Sequence, residues 1–276
     1  MEEVVVFIVG AGPAGLATAA CLNQFSIPYV IVECENCSAS LWRNRAYDRL
    51  KLHLAKEFCS IYSGRNVLVV GSGNSGMEIA YDLATHGANS SLVIRSPIHV
   101  MTKELIRLGM RLLRHLPPKL VDHLLVMMAD FVFGDLSKHG ITRPKKGPLV
   151  LKSETGQSAV IDVGTVGLIK KGTIKVQGGV TKIKGKTIEF QGGNEASFDA
   201  IVFATGYKST ANMWLKNGES MLNNDGLPNK EFPNHWKGEN GLYCAGLARR
   251  GLAGIAIDAK NIANDIKSKI DVMRSI

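Results

Sequence analysis

The sequence predicts an α/β fold with parallel sheets, organised around two separate βαβ units. Two glycine-rich loops, at residues 10–15 and 71–76, each follow a short apolar strand and open a helix. A second apolar strand follows each of these helices. A continuous apolar run at Asp199–Ala204 is typical of a strand buried on both faces of a parallel sheet.

The boundaries of both units follow from apolar periodicity and from the glycines and prolines at the ends of each run. For the first unit, the predicted strand, helix and strand are Val4–Val9, Pro13–Asn23 and Tyr29–Glu33. For the second unit, they are Asn66–Val70, Ser75–His86 and Ser91–Arg95.

The rest of the chain shows a change from helical to strand periodicity and back again. Two amphipathic helices are predicted, separated by Pro117-Pro118, and short strands with glycine turns are predicted across Leu149–Phe190. The two helices, a later strand and the final helix are predicted at Lys103–Leu113, Pro118–Phe133, Gly241–Gly246 and Asp258–Ile270.

Composition narrows the class of protein. The 276 residues are 45% hydrophobic and 21% charged, which is ordinary for a globular protein. The net charge of +9 suits anionic partners, but no basic motif interleaved with aromatic residues appears, so we expect no nucleic-acid binding. The apolar stretch Leu116–Phe133 carries too many charged side chains for a transmembrane span.

The five cysteines indicate the cellular compartment in which the protein is expected. They show no disulfide-framework spacing, and the apolar run Val4–Val9 leads directly into the first glycine loop without a secretory signal. We therefore expect reduced thiols and a cytoplasmic protein. No metal site is expected.

The first glycine loop is Gly10-Ala11-Gly12-Pro13-Ala14-Gly15. In a dinucleotide-binding unit, the first glycine permits the tight turn, the second admits the pyrophosphate and the third allows close packing of helix on strand. The helix N-terminus then offers free N–H groups to the phosphates. Glu33 ends the second strand, where its carboxylate can accept hydrogen bonds from ribose hydroxyls.

The second glycine loop is Gly71-Ser72-Gly73-Asn74-Ser75-Gly76, again between strand and helix. The following strand ends in Arg95 and Ser96 in place of an acid. A cation and a hydroxyl suit a 2′-phosphate, so this unit is predicted to bind NADPH in preference to NADH. An acidic first unit followed by a basic second unit is typical of a flavoprotein that NADPH reduces.

Two further motifs are candidates for contact with the cofactors. Ala204-Thr205-Gly206-Tyr207 ends the apolar strand, where a Thr-Gly break suits a chain that crosses between domains near a ligand. Gly246 follows a predicted strand and precedes the last helix, and a glycine there permits close approach of the backbone to a flavin.

These motifs predict two Rossmann-like dinucleotide-binding domains of three layers, with the NADPH domain inserted into the FAD domain. The predicted FAD domain is discontinuous and comprises residues 1–62 and 197–276. The predicted NADPH domain comprises residues 63–196.

The four motifs, in this order, resemble those of the plant YUCCA-type flavin monooxygenases, a branch of the class B flavin monooxygenases. The likeness extends from Val6 to about Lys267. Besides the glycine loops, it is carried by Ser40-Leu41-Trp42-Arg43, Tyr47-Asp48-Arg49-Leu50-Lys51-Leu52-His53-Leu54, Arg95-Ser96-Pro97-Ile98-His99-Val100-Met101 and Phe203–Tyr207.

The resemblance implies a reaction and two further site residues. In that family, FAD, NADPH and O2 convert indole-3-pyruvate, or a similar keto acid, into indole-3-acetate during auxin biosynthesis. The cofactor then supplies the chemistry, while the protein orients the reactants and excludes water. His53 matches a position near the flavin and is the candidate catalytic residue. Trp42 is a candidate for contact with the cofactor.

The chain departs from the family in one respect: Gly10 and Gly71 are only 61 residues apart, whereas the family has a much longer segment between them. The missing segment carries the family's Phe-x-Gly-x5-His motif, the third strand of the FAD sheet and a first Ala-Thr-Gly linker. We therefore expect an unpaired edge or gap in the FAD sheet, and we hypothesise that cofactor affinity and turnover are impaired or absent.

Two alternatives remain open at this stage. Cys34-Glu35-Asn36-Cys37 is a Cys-x-x-Cys motif, so an NADPH-dependent disulfide reductase is one rival. Because Cys34 directly follows Glu33, however, the motif is expected at the adenosine end of FAD, away from the ring. The other rival is an inactive nucleotide-binding remnant, or an interaction partner of full-length relatives.

Overall fold

The structure is a computed structural model that describes residues 6–44 and 61–274, without the side chains of Trp42 and Arg274. It divides into two units: Met1–Ala46 together with Tyr207–Ile276, and Tyr47–Gly206. The second unit is therefore an insertion in the sequence of the first. The fold class is confirmed: both units combine helices with parallel strands.

The first unit opens with one βαβ motif, and a long helix closes it. Its strands β1 and β2 pair in parallel, with Val6 opposite Tyr29 and Val9 opposite Val32. Leu22 of the first helix and Ile262 of the last helix pack with Ile8 in its core. The elements of this unit are β1 (Val6–Val9), α1 (Pro13–Asn23), β2 (Tyr29–Val32), α2 (Ser40–Asn44), α8 (Ala211–Trp214) and α9 (Gly251–Arg274).

The second unit is built on a four-stranded parallel sheet of order β11-β3-β4-β7. Val67, Leu68 and Val69 of its central strand are fully buried, because the strand has neighbours on both sides and packing on both faces. The sheet strands and the helix after the glycine loop are β3 (Asn66–Val70), α3 (Asn74–Thr85), β4 (Asn89–Val93), β7 (Lys175–Gln177) and β11 (Ala200–Phe203).

Helices and two small sheets complete the second unit. The strand pair β5 (Val100–Met101) and β6 (Val160–Ile161) is parallel, and β8 (Val180–Lys184), β9 (Thr187–Phe190) and β10 (Glu195–Ser197) form an antiparallel sheet. The remaining helices are α4 (Lys103–Leu112), α5 (Pro118–Phe133), a 3-10 turn at Ser137–His139, α6 (Pro148–Thr155) and α7 (Thr165–Lys170).

The structure corrects two of the predicted elements. Part of Leu149–Phe190 is helical, since α6 and α7 replace the short strands expected there. Buried Asp122 accepts hydrogen bonds from Leu149 N and Val150 N, at 2.7 and 3.0 Å, and so satisfies the start of α6 from a distant helix. Gly241–Gly246 is not a strand; a single antiparallel bridge joins Tyr243 to Lys237.

The boundary between the units also differs from the predicted one at residues 196 and 197. Strand β11 pairs in parallel along the whole of β3, with Ala200 opposite Val67 and Phe203 opposite Val70. It therefore belongs to the second unit, which extends to Gly206. The apolar run is a parallel strand, as predicted, but the prediction that it is buried on both faces was wrong. β11 lies at the end of the strand order, where Phe203 is 66% exposed, and its neighbour in the sheet was not visible from the sequence.

Candidate functional site: two glycine loops at helix N-termini

In the first unit, the glycines of the Gly10–Gly15 loop divide the roles as predicted. Gly10 has a φ of +97°, a conformation that favours glycine. A Cβ on Gly15 would lie 2.0 Å from the carbonyl oxygen of Gly10, so only glycine allows the helix to pack on this turn. A Cβ on Gly12 would meet nothing within 4 Å, which leaves open space beside the backbone for a ligand.

The N-terminus of α1 is suited to an anion. Gly12 is the N-cap, Pro13 follows it, and no side chain caps the helix or places an acid in its first turn. The backbone N–H groups of Ala14 and Gly15 belong to that first turn, where a helix leaves its donors without internal partners. With the helix dipole, these donors favour a phosphate at this position.

Glu33 lies against the same loop. Its Oε2 accepts a hydrogen bond of 2.7 Å from Ala11 N, and its Oε1 accepts one of 3.2 Å from Glu35 N. The bond from Ala11 N, with that from Glu35 N, lowers the pKa of the Glu33 carboxyl. The side chain therefore stays ionised at the end of β2, with oxygen lone pairs available for hydroxyl donors.

Gly246 joins this site from the other end of the chain. It has a φ of +83°, and a Cβ built on it would lie 3.4 Å from Cβ of Ala14, in the first turn of α1. Gly246 N donates a hydrogen bond of 2.9 Å to Oδ2 of Asp258 on α9. Gly246 thus lies beside the first turn of α1 within this unit, and its predicted contact with a flavin stays a prediction.

Asp258 and His235 were missed by the sequence reasoning. Both are buried, and Nε2 of His235 lies 2.9 Å from Oδ1 of Asp258. The carboxylate therefore holds the Gly246 backbone with one oxygen and contacts the imidazole with the other. One feature of the sequence could have identified Asp258: it is an acid on a face of α9 that otherwise carries Ile262 and Ala263.

In the second unit, the Gly71–Gly76 loop repeats the arrangement of the first. Gly71 has a φ of +118°, and a Cβ on Gly76 would lie 1.8 Å from the carbonyl oxygen of Gly71. A Cβ on Gly73 would meet nothing within 4 Å, as at Gly12. Gly73 caps α3 without a side-chain hydrogen bond, so the first-turn N–H groups remain available.

The polar residues around this loop have different roles. Ser72 and Ser75 are half-buried beside the glycines, and the exposed Arg95 and Ser96 follow β4, next to β3 in the sheet. The side chain of Asn74 is already engaged, since its Oδ1 accepts a hydrogen bond of 2.8 Å from Ile161 N. Asn74 therefore anchors β6 through its Oδ1, which leaves its backbone N–H and its Nδ2 amide as donors for a ligand.

The Ala204-Thr205-Gly206 motif passes directly over the second glycine loop. Ala204 N donates to Val70 O at 2.8 Å, and a Cβ on Gly71 would lie 2.3 Å from Ala204 O. Thr205 and Gly206 are exposed, and Gly206 has a φ of +83°. The motif thus lies against the second glycine loop, and the unit boundary follows Gly206.

The Cys-x-x-Cys motif has a structural setting that disfavours redox chemistry. The Cys34 thiol donates to Oε1 of Glu33 at 3.3 Å, and this contact raises the pKa of Cys34. A raised pKa reduces the thiolate that a disulfide reductase needs for attack. His53 and the side chain of Trp42 lie outside the described residues, so their predicted roles stay predictions.

Comparison with known proteins shows which family this chain matches. The family model for flavin-binding monooxygenase-like proteins matches residues 51–247, which is more than half of the chain. The chain belongs to this family. Membership confirms the predicted class, a flavin-dependent monooxygenase, and the predicted resemblance.

Similar relatives include plant proteins. The chain is 41% identical to "Probable indole-3-pyruvate monooxygenase YUCCA10" of Arabidopsis thaliana, over 99% of this chain and 100% of that protein. It is 35% identical to "Indole-3-pyruvate monooxygenase YUCCA6" of the same plant, over 94% and 89%. The first alignment spans 381 positions against the 276 residues here, so the chain is a shortened form.

Solved structures agree at the level of the fold. A flavin-containing monooxygenase from Stenotrophomonas maltophilia matches with a TM-score of 0.65 and 12% identity, over 98% of this chain and 100% of that chain. A bacillithiol disulfide reductase from Staphylococcus aureus matches with a TM-score of 0.60 and 14% identity, over 98% and 99%. Both therefore share the dinucleotide-binding fold predicted here.

Proposed function

We propose that this chain is an FAD- and NADPH-dependent monooxygenase whose substrate is indole-3-pyruvate or a similar 2-keto acid. The observation that carries the proposal is the pair of glycine loops: both open an uncapped helix N-terminus, and both keep their second glycine clear of any neighbour. The names of the plant relatives support the substrate class. The products would be indole-3-acetate, CO2, NADP⁺ and water.

The fit of FAD to the first unit rests on two features. An oxygen-rich pyrophosphate suits the open space beside Gly12 and the free N–H groups of α1. The ionised carboxylate of Glu33 suits ribose hydroxyls. We propose Gly10, Ala11, Gly12, Pro13, Ala14, Gly15, Glu33, Trp42 and Gly246 as the FAD-binding residues.

The fit of NADPH to the second unit rests on the same loop geometry and on charge. The guanidinium of Arg95 is exposed, so it is accessible to a 2′-phosphate. We propose Gly71, Ser72, Gly73, Asn74, Ser75, Gly76, Arg95, Ser96, Thr205 and Gly206 as the residues around NADPH.

When bound, the flavin supplies the redox chemistry, and the residues of this chain bind, orient and exclude water. The loops fix each dinucleotide by its phosphates, and the hydrogen bond from Gly246 N to Asp258 fixes the backbone that faces the first loop. We propose His53 as the catalytic residue, on the basis of the family resemblance. We also propose cytoplasmic action, which the free Cys21, Cys34, Cys37 and Cys244 support.

The shortened first unit limits this function. Among the described residues its sheet has two strands, whereas a nucleotide-binding sheet of this type has five or six. We propose that the chain binds FAD more weakly than its full-length relatives, and that its turnover is limited by flavin occupancy. Addition of free FAD should then raise activity.

The decisive experiment is the visible spectrum of the purified chain, with and without added FAD, before and after NADPH without oxygen. We expect a flavin spectrum that bleaches with NADPH, and then formation of indole-3-acetate once oxygen and indole-3-pyruvate are added. As a matched control, Arg95→Ala should slow bleaching by NADPH while leaving bleaching by NADH unchanged. A chain that retains no flavin even with FAD in excess would refute the proposal and favour an inactive remnant.

A further inference from the structure

Helices α4 and α5 form a helical hairpin, residues 103–133, whose outer surface is unusual for a globular protein. The inner face of α5 is buried through Val121, Leu125, Ala129 and Phe133. Gly109 of α4 fits against it, since a Cβ there would lie 2.8 Å from Cδ1 of Leu125. The hairpin is therefore held to the second unit by a conventional apolar face.

The opposite face of α5 is also apolar, and it is exposed. Leu120, Met127 and Phe131 recur at intervals of seven and four residues, so they form one stripe along the outside of the helix. Phe131 is 93% exposed and Met127 is 55% exposed. Met110 of α4 adds a further exposed apolar side chain. Single exposed apolar residues are ordinary, but an apolar stripe of this length marks an interaction surface.

The hairpin also carries several exposed cations. The exposed basic residues of the hairpin are Lys103, Arg107, Arg111, Arg114 and Lys119. Of its acids, Asp122 is buried at the start of α6, and Asp130 pairs with Arg143. Glu104 is the remaining acid, and it lies in the first turn of α4. The exposed residues of the hairpin therefore combine an apolar stripe with an excess of positive charge.

Charge complementarity indicates which partner suits the exposed surface of the hairpin. A second copy of the chain would bring the same five cations against each other, which is unfavourable. An anionic lipid surface satisfies both components, because acyl chains accept the Phe131 and Met127 side chains while headgroup phosphates pair with the Arg and Lys side chains. Among the described residues, no helix is long and apolar enough to cross a membrane.

The length of α5 agrees with a surface position. Its 16 residues rise about 24 Å, which is less than the roughly 30 Å thickness of a bilayer core. We propose that the outer face of the helical hairpin binds the surface of membranes that contain anionic phospholipids. Phe131 and Met127 enter the interface between headgroups and acyl chains, and Arg107, Arg111, Arg114 and Lys119 contact the phosphates.

The test is co-sedimentation of the full chain with vesicles of phosphatidylcholine alone and of phosphatidylcholine with phosphatidylserine. We expect binding to the vesicles that contain phosphatidylserine, reduced by added salt. Phe131→Ser should lower partitioning about tenfold, since it removes one large apolar side chain from the interface. The matched control is Ile183→Ser, an exposed apolar residue of β8 outside the hairpin.

A second pair of variants tests the charge. Arg111→Glu should weaken binding, whereas Lys182→Glu, with the same change of charge on exposed β8, should bind like the parent chain. Equal binding to neutral vesicles, or equal loss in each variant and its control, would overturn the proposal. So would a dimer in solution that Phe131→Ser dissociates, because the stripe would then be an interface between copies.

Discussion

The two βαβ units of this chain have nearly the same glycine-loop geometry, yet their sheets differ in completeness. In the second unit, β3 has a neighbour on each side, and Val67, Leu68 and Val69 are fully buried. In the first unit, β1 pairs with β2 alone among the described residues. The local motif for binding a dinucleotide thus forms whether or not the surrounding sheet is complete.

Because the first sheet has only β1 and β2 among the described residues, one face of this pair is exposed. Phe7 and Val9 are 62% and 52% exposed, and Val30 and Val32 beside them are exposed as well. The other face is covered, with Ile8 and Tyr29 packed against α1 and α9. Strands of a parallel sheet are normally buried on both faces. Within the described residues, the first sheet therefore has two strands, and one face of this pair is exposed.

The largest expected effect is on the stability of the first unit. Asp258→Ala removes the acceptor of Gly246 N and the partner of buried His235, and leaving a buried polar group unpaired costs about 1–3 kcal/mol of unfolding free energy for each group. Urea unfolding of the chain, followed by tryptophan fluorescence, measures it, because all three tryptophans of the sequence lie in the first unit. Asp258→Asn keeps an acceptor and should lose clearly less. Equal losses in both variants would show that the carboxylate charge, and not the hydrogen bond, is required.

The next prediction separates packing from ligand space in the second unit. Gly76→Ala forces a Cβ onto the Gly71 carbonyl and should cost about 3 kcal/mol of stability. Gly73→Ala meets no neighbour, so it should leave stability unchanged and weaken NADPH binding instead. Thermal unfolding and NADPH titration together check the pair. Similar stabilities for the two variants would contradict the division of roles between these glycines.

A smaller effect tests the uncovered face directly. Phe7→Thr should change stability by no more than about 0.5 kcal/mol, because the side chain is exposed. Its counterpart Val69→Thr buries a hydroxyl in the complete sheet and should cost about 2 kcal/mol. Both values come from chemical denaturation. A loss at Phe7 as large as that at Val69 would mean that this face is covered in solution.

The smallest effect is a pH dependence of the first glycine loop. The pKa of Glu33 is lowered from 4.5 by its hydrogen bond with Ala11 N, so its contribution to stability is present above pH 4.5. That contribution is lost as the pH falls through the lowered value. FAD affinity measured between neutral and acid pH should decline there, and in Glu33→Gln the decline should disappear. A decline that survives in Glu33→Gln would assign it to another group.

Several features of the molecule could be predicted from the sequence because they depend on neighbours in the chain. Glycine spacing determines both loops, and apolar periodicity determined helices such as Pro118–Phe133 to the residue. The acid at Glu33 and the cation at Arg95 follow the same logic, since each ends the strand that succeeds a loop. The family, the fold class and the two cofactors could all be predicted from the sequence.

Tertiary structure alone decided what depends on contacts between distant residues. The carboxylate of Asp122 starts α6 from 27 residues away, so a segment read as strands becomes a helix. Asp258 accepts a hydrogen bond from Gly246, which lies 12 residues earlier in the chain. Strand β11 pairs with β3, so the second unit extends further along the chain than predicted. Periodicity marks which residues are apolar, but burial and hydrogen-bond partners depend on the elements that pack against them.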